Sequence, residues 1–188
     1  MSETIQHVNI KVFTASDSAE PDLEKVNHIF HAWIQDGYGE DLLLDVADYA
    51  HVPDGPGMML IGHEVNYSLD FVIERRAGLL YNRKTRLDGD NAEQFRSAVK
   101  RAFAACDALE QHPSLSGALK FNRQDLVVVI NDRALVANDE ATFQRLKPDL
   151  DGVFGELFAD SHKLEFVQGD SRERFAVKVT ASAAPAAV

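Results

Sequence analysis

From Met58 to Ile73 the chain alternates in strict period two. Met59, Ile61, His63, Val65, Tyr67, Leu69, Phe71 and Ile73 share one parity, and Glu64, Asn66, Ser68 and Asp70 the other. Successive side chains of a strand leave opposite faces, so this pattern demands a sheet with one apolar and one polar side. The run is longer than a usual strand, and a bend or bulge is expected near Gly62. Before it stands HVPDGPG, residues 51–57. There Pro53 and Pro56 fix φ while Gly55 and Gly57 can take positive φ, which predicts a tight turn. Leu42 to Tyr49 reads as the strand entering that turn, interrupted by Asp45 and Asp48. After ERRAG, Leu79 to Asn82 returns as a hairpin partner, giving a three-stranded meander.

The remaining segments supply strands and helices that fit around this meander. His7 to Phe13 alternates, with Val8, Ile10 and Val12 opposite Asn9 and Lys11. Leu23, Val26, Phe30, Trp33 and Ile34 fall on one helical face between Pro21 and Gly37, leaving His28 and His31 at the surface. Asp90 and Glu93 have capping-box spacing and open a helix that carries Phe95, Val99, Phe103 and Cys106 and stops at His112-Pro113. Cys106, central in that apolar stripe, reads as an inert core thiol. Ala118 to Phe121 and Leu126 to Ile130 read as a hairpin about NRQD, the second strand so apolar that both of its faces should be covered. Asn138 or Asp139 can cap a third helix, kinked or split by Pro148. Two strands around Gly169-Asp170-Ser171 end the chain.

The expected fold is therefore α+β, a two-layer sandwich with a mainly antiparallel sheet and helices packed on one face, in the order β-α-βββ-α-ββ-α-ββ. Residues 7–180 form the expected single domain, with frayed ends at 1–6 and 181–188. At 188 residues and 45% hydrophobic, a chain can bury an unaided core. One cysteine, no apolar segment after Met1 and no run long enough to cross a bilayer predict a cytoplasmic protein with no membrane partner. A formal charge of -11 disfavours nucleic acid as a partner.

Asp45, Asp48, His51, Asp54, His63 and Glu64 are the one dense group of histidines and carboxylates in the chain. Imidazole with carboxylate suits zinc, iron or manganese, which makes Asp45, Asp48, His51 and His63 the candidate metal ligands. Neighbouring strand residues face opposite ways, so His63 and Glu64 cannot readily share one ion, and no H-x-H or C-x-x-C spacing occurs. His63 reads foremost as a core imidazole. The row Glu64, Asn66, Ser68, Asp70 is either a solvated face or the lining of a polar pocket. Arg75, Arg76, Arg83, Lys84 and Arg86 concentrate positive charge that an anion could use. No phosphate-loop, nucleophile-elbow or dinucleotide fingerprint is present.

At DVADYAHVPDGPGMMLIGHE, with GLLYNRK and INDRALVAND, the chain resembles uncharacterised bacterial proteins with no assigned activity. The resemblance implies neither fold nor site. The leading expectation from the residues is a small polar or anionic ligand bound beside the 51–57 turn, with Asp45, His51, Asp54, His63, Glu64, Tyr67 and Arg83 as candidate contacts. A metal-dependent hydrolase or oxidase built on residues 45–64 is the alternative, and a structural or assembly role, including a homodimer closing the second sheet face, is the third. Catalytic residues and cofactor remain open at this point.

Overall fold

The computed structural model describes residues 4–53, 55–115, 117–170 and 172–186. Eight strands form one antiparallel sheet: β1 (Val8–Thr14), β2 (Leu43–Tyr49), β3 (Gly57–Gly62), β4 (Val65–Asp70), β5 (Gly78–Arg83), β6 (Phe121–Ile130), β7 (His162–Phe166) and β8 (Phe175–Ala181). Their spatial order is β2-β3-β4-β5-β1-β6-β8-β7. Three helices are interspersed, α1 (Leu23–Asp36), α2 (Asn91–Glu110) and α3 (Glu140–Phe158). Both β5 and β6 run antiparallel to β1 between them, so α2 joins two parallel strands across the central strand. In the same way α3 joins β6 to β7 across β8.

Each helix starts where an aspartate can accept from an orphaned backbone N–H. Asp22 receives Lys25 N, Asp90 receives Glu93 N, and Asp139 receives Thr142 N. Gly37 closes α1 in the left-handed conformation, and Pro148 is accommodated within a single helix. The buried helix residues join one core with Ile10, Val12, Leu60, Leu69, Val128 and Val177, which cross-strand pairing places on one side of the sheet. Buried residues of all three helices thus share one core with these strand residues. Cys106 lies in this core, fully buried, and desolvation pushes its thiol well above its ordinary range.

Two expectations are corrected. The long alternating run is two strands: β3 and β4 are joined by a hairpin at His63 and Glu64, which makes the meander four-stranded. Ile61 then pairs with Asn66 and Met59 with Ser68, so Met59 and Ile61 lie on the polar side and not with Tyr67. Conversely NRQD is no turn, because residues 121–130 form one strand whose register against β1 shifts near Thr14. The order is thus β-α-ββββ-α-β-α-ββ. Ile5 is buried and its amide donates to Asn91 Oδ1, while Ser182 and Ala186 donate to Ser161 O and Leu157 O. Among the described residues no helix is long and apolar enough to cross a membrane.

Candidate functional site

The sheet's second face carries Asn9, Lys11 and Phe13 from β1, Asn66, Ser68 and Asp70 from β4, and Val127 and Val129 from β6. Cross-strand pairing lines up the asparagines: Asn66 faces Asn82, Asn82 faces Asn9, and Asn9 faces Val129. The next row is Ser68, Leu80, Lys11 and Val127. This face is not solvated at its centre. The segment between β4 and β5 folds back over it, and Ile73 packs, as Ala176 does, on the cluster of Phe13, Val127 and Val129. The covered apolar strand anticipated at Leu126 to Ile130 has this origin.

Polar contacts pin that covering segment. Asp70, 1% exposed, accepts from Val72 N at 3.0 Å, from Ser68 Oγ at 3.1 Å and from Lys11 Nζ at 2.6 Å. Lys11 Nζ also donates to Asp70 O at 2.8 Å and Gly78 O at 3.0 Å. Arg76 lies 3.9 Å from the Phe13 ring centroid and 2.8 Å from Asp125, and Lys178 reaches Glu74 at 2.9 Å. Glu74 and Arg75 hold positive φ, 55° and 52°, a conformation costing an L residue about 1–2 kcal/mol each. Such strain persists only where surrounding contacts over-determine the backbone, as these do.

Desolvation lowers the Lys11 pKa, and the Asp70 charge and hydrogen bond oppose that fall. Three acceptors surround its ammonium, which suits a strut better than a nucleophile.

Beside the covering segment lies a cavity of about 200 Å³, its floor formed by Asn9, Asn66, Asn82 and Ser68 and its walls by Pro56, Met59 and Ile73. Asn9 has 0% exposure, and neither its Oδ1 nor its Nδ2 has a hydrogen-bond partner. An unpaired buried amide costs about 1–3 kcal/mol per group, a cost with no structural return. Asn66 differs, since its Oδ1 accepts from Gly62 N at 3.3 Å.

The residues singled out from sequence are dispersed. Asp45 and Asp48 are exposed on edge strand β2, accepting from Val46 N and Ala50 N. His51 is exposed in the turn after β2, and Asp54 lies outside the described residues. His63 is exposed in the β3–β4 hairpin, which corrects its reading as a core imidazole. Strand β3 separates His51 from His63 by about 20 Å. Among the described residues no group of three His, Cys, Asp or Glu is arranged to hold a metal ion. Glu64 and Arg83 pair at 3.0 Å, and Arg83 Nε donates to Thr85 O. Tyr67 lies on the helix face, its hydroxyl donating to Asp41 Oδ2 at 3.2 Å, with burial raising its pKa far above the usual phenol range. The arginines read as one patch are two, because Arg75 and Arg76 precede β5 while Arg83, Lys84 and Arg86 follow or end it.

The 51–57 turn still borders a concavity. Pro56 walls the asparagine cavity, and Tyr49, Val52, Gly55 and Gly57 line a separate depression with Arg75. Sequence reasoning placed Asn66, Ser68 and Asp70 on one face and Asn9 and Lys11 on one side of β1. It missed Asn82, which only the strand pairing brings in, and Arg174, which lines the cavity from the residue before β8. No protein-family model, curated protein or solved structure matches this chain.

Proposed function

We propose that this protein is a two-layer α+β receptor for a small polar ligand, bound beside the 51–57 turn in the cavity floored by the asparagine row. The observation that carries this reading is the Asn9 amide, fully buried and unpartnered at that cavity. A ligand carrying its own donor and acceptor would satisfy both atoms and recover the desolvation cost on binding. Ligand sites are concave and mostly apolar with a few convergent polar groups, and Met59, Leu80, Val129 and Ile73 supply the apolar share here. Sites that bind commonly cost stability in the free protein.

Asn9→Leu separates this reading from a structural one. Without ligand the variant is expected to be as stable as the parent or more so, because an apolar side chain of similar size replaces an unsatisfied amide. Thermal-shift screening against small amides, carboxylates and nucleosides should give compounds that raise the melting temperature of the parent and leave the variant unmoved. Equal shifts in both proteins would remove the cavity from consideration.

A further inference from the structure

We propose that the ligand of this face is an anion with two functional ends, a donor–acceptor edge at Asn9 and a carboxylate or phosphate at Arg174 and Arg133; this rests on the asparagine cavity being the binding site. The concavity continues past Ile73. A second cavity of about 640 Å³ adjoins it, and Ile73, Val129 and Arg174 line both. Its floor is apolar, with Val127, Val129 and Ala176, and its rim carries Arg133, Arg172 and Arg174.

These three arginines are not equivalent. Asp170 engages Arg172 at 2.8 Å. Arg133 donates only to Arg172 O, and Arg174 has no ion pair, among the described residues. The chain carries 30 acidic against 19 basic side chains, so acid partners are abundant, yet two guanidinium groups at one cavity have none. Guanidinium forks bind carboxylate and phosphate through paired hydrogen bonds. Of the acids lining the larger cavity, Glu74 is neutralised by Lys178 and Arg76. Glu173, exposed, is not, and it disfavours an acid group beside it in that cavity. Arg174, shared by both cavities, and Arg133 on the rim of the larger one are left as the place for the ligand's charge.

Strand pairing sets the lateral spacing across this face. Asn9 pairs with Val129 and Val129 with Ala176. Strands lie about 4.8 Å apart, so the step from β1 to β8 is about 10 Å. An asparagine amide presents one donor beside one acceptor, the complement of another carboxamide or of the amino edge of adenine. The ligand class is thus a molecule with such an edge at one end, an acid group at the other and a flat or aliphatic middle over Ile73 and Val129.

Titration calorimetry on the full chain tests this with two matched pairs and one bare anion: adipamate against hexanamide, adenosine monophosphate against adenosine, and inorganic phosphate alone. At least one acid probe is expected to bind about tenfold or more tighter than its neutral partner, with the advantage shrinking as salt is added. Arg133→Gln with Arg174→Gln should erase that advantage and leave the neutral partner's affinity unchanged. Which pair responds tells an amide acid from a nucleotide. Neutral partners binding as tightly as the acids, or no binding by any probe, overturns the two-ended anion while the Asn9 reading stands on its own screen. Phosphate binding as well as adenosine monophosphate, indifferent to Asn9→Leu, marks a bare anion site and also overturns it. An acid probe that keeps its full affinity in Asn9→Leu instead sinks the reading on which the inference rests.

Discussion

Lys11 and Asp70 show what one buried residue pair does for this face. Both are almost entirely excluded from water, and their 2.6 Å contact holds a lysine from β1 to the carboxylate that also anchors Val72. Burying two charges is costly, and their attraction with good hydrogen bonding offsets that cost. Removing one partner is worse than removing both. Lys11→Met leaves the Asp70 carboxylate without its cation and should cost about 3–5 kcal/mol in urea unfolding. Adding Asp70→Asn to that variant should recover part of the loss, because no charge then remains buried. A Lys11→Met protein as stable as the parent would mean that the pair does not hold the covering segment. The sequence motif VNIKVFT placed Lys11 correctly opposite Val12. It could not show that Lys11 is buried, because an antiparallel sheet's second face is ordinarily wet, and what covers it here is a segment more than 50 residues away in the chain.

At the scale of elements, alternation made the strands legible, and the same regularity concealed the hairpin at His63 and Glu64. Across a two-residue loop the facing residues change parity, so Ile61 and Asn66 share a side although their apolar and polar characters differ. Neither loop residue takes positive φ, so the Asn-Gly signature of a tight hairpin is lacking. Gly62 was the remaining signal: a Cβ there would meet Val65 O at 2.7 Å. The helices were easier to see, because aspartate caps and the 3.6-residue period are local properties. Gly57 offers a test of how closely the meander is packed. Its φ of +62° resembles the +70° of Gly37, but a Cβ at Gly57 would lie 2.2 Å from Leu69 O, whereas nothing lies within 4 Å at Gly37. Gly37→Ala should therefore lose only the conformational preference, about 1 kcal/mol. Gly57→Ala should lose roughly 2 kcal/mol or more, since β3 must also separate from β4. Equal losses, read from urea midpoints, would contradict the close approach of the two strands.

For the whole molecule, the helix face and the open face bury titratable groups of opposite sign, and alkaline stability depends on which set dominates. Between α1, α2 and the sheet, burial raises the phenol of Tyr38 to about 12, that of Tyr67 further, and that of Tyr81 in the same direction. These rings form one cluster, with Tyr38 stacked on Trp33 at 3.9 Å and Tyr67 tilted against Tyr81 at 5.6 Å. A group whose folded pKa is raised contributes stability that is complete below its unfolded pKa and is lost as pH rises toward the folded value. Tyr38, Tyr67 and Tyr81 thus withdraw stability above pH of about 10. Cys106 does the same from a slightly lower pH. Lys11, with its pKa lowered, acts in the other direction, because the unfolded chain holds its proton more tightly until about pH 10.4. Three phenols and a thiol outweigh one amine, so the unfolding free energy should fall steeply beyond pH of about 10. Each buried phenol contributes a slope of about 1.4 kcal/mol per pH unit there. Tyr67→Phe should lose the hydroxyl's bond to Asp41, about 1 kcal/mol at neutral pH, and in exchange reduce the alkaline slope by one such increment. Urea unfolding across the alkaline range, with phenolate absorbance followed in parallel, measures both effects. An unchanged slope in Tyr67→Phe, or phenolate absorbance from all four tyrosines before the fold is lost, would show that water reaches the cluster and that the helix layer does not seal the sheet.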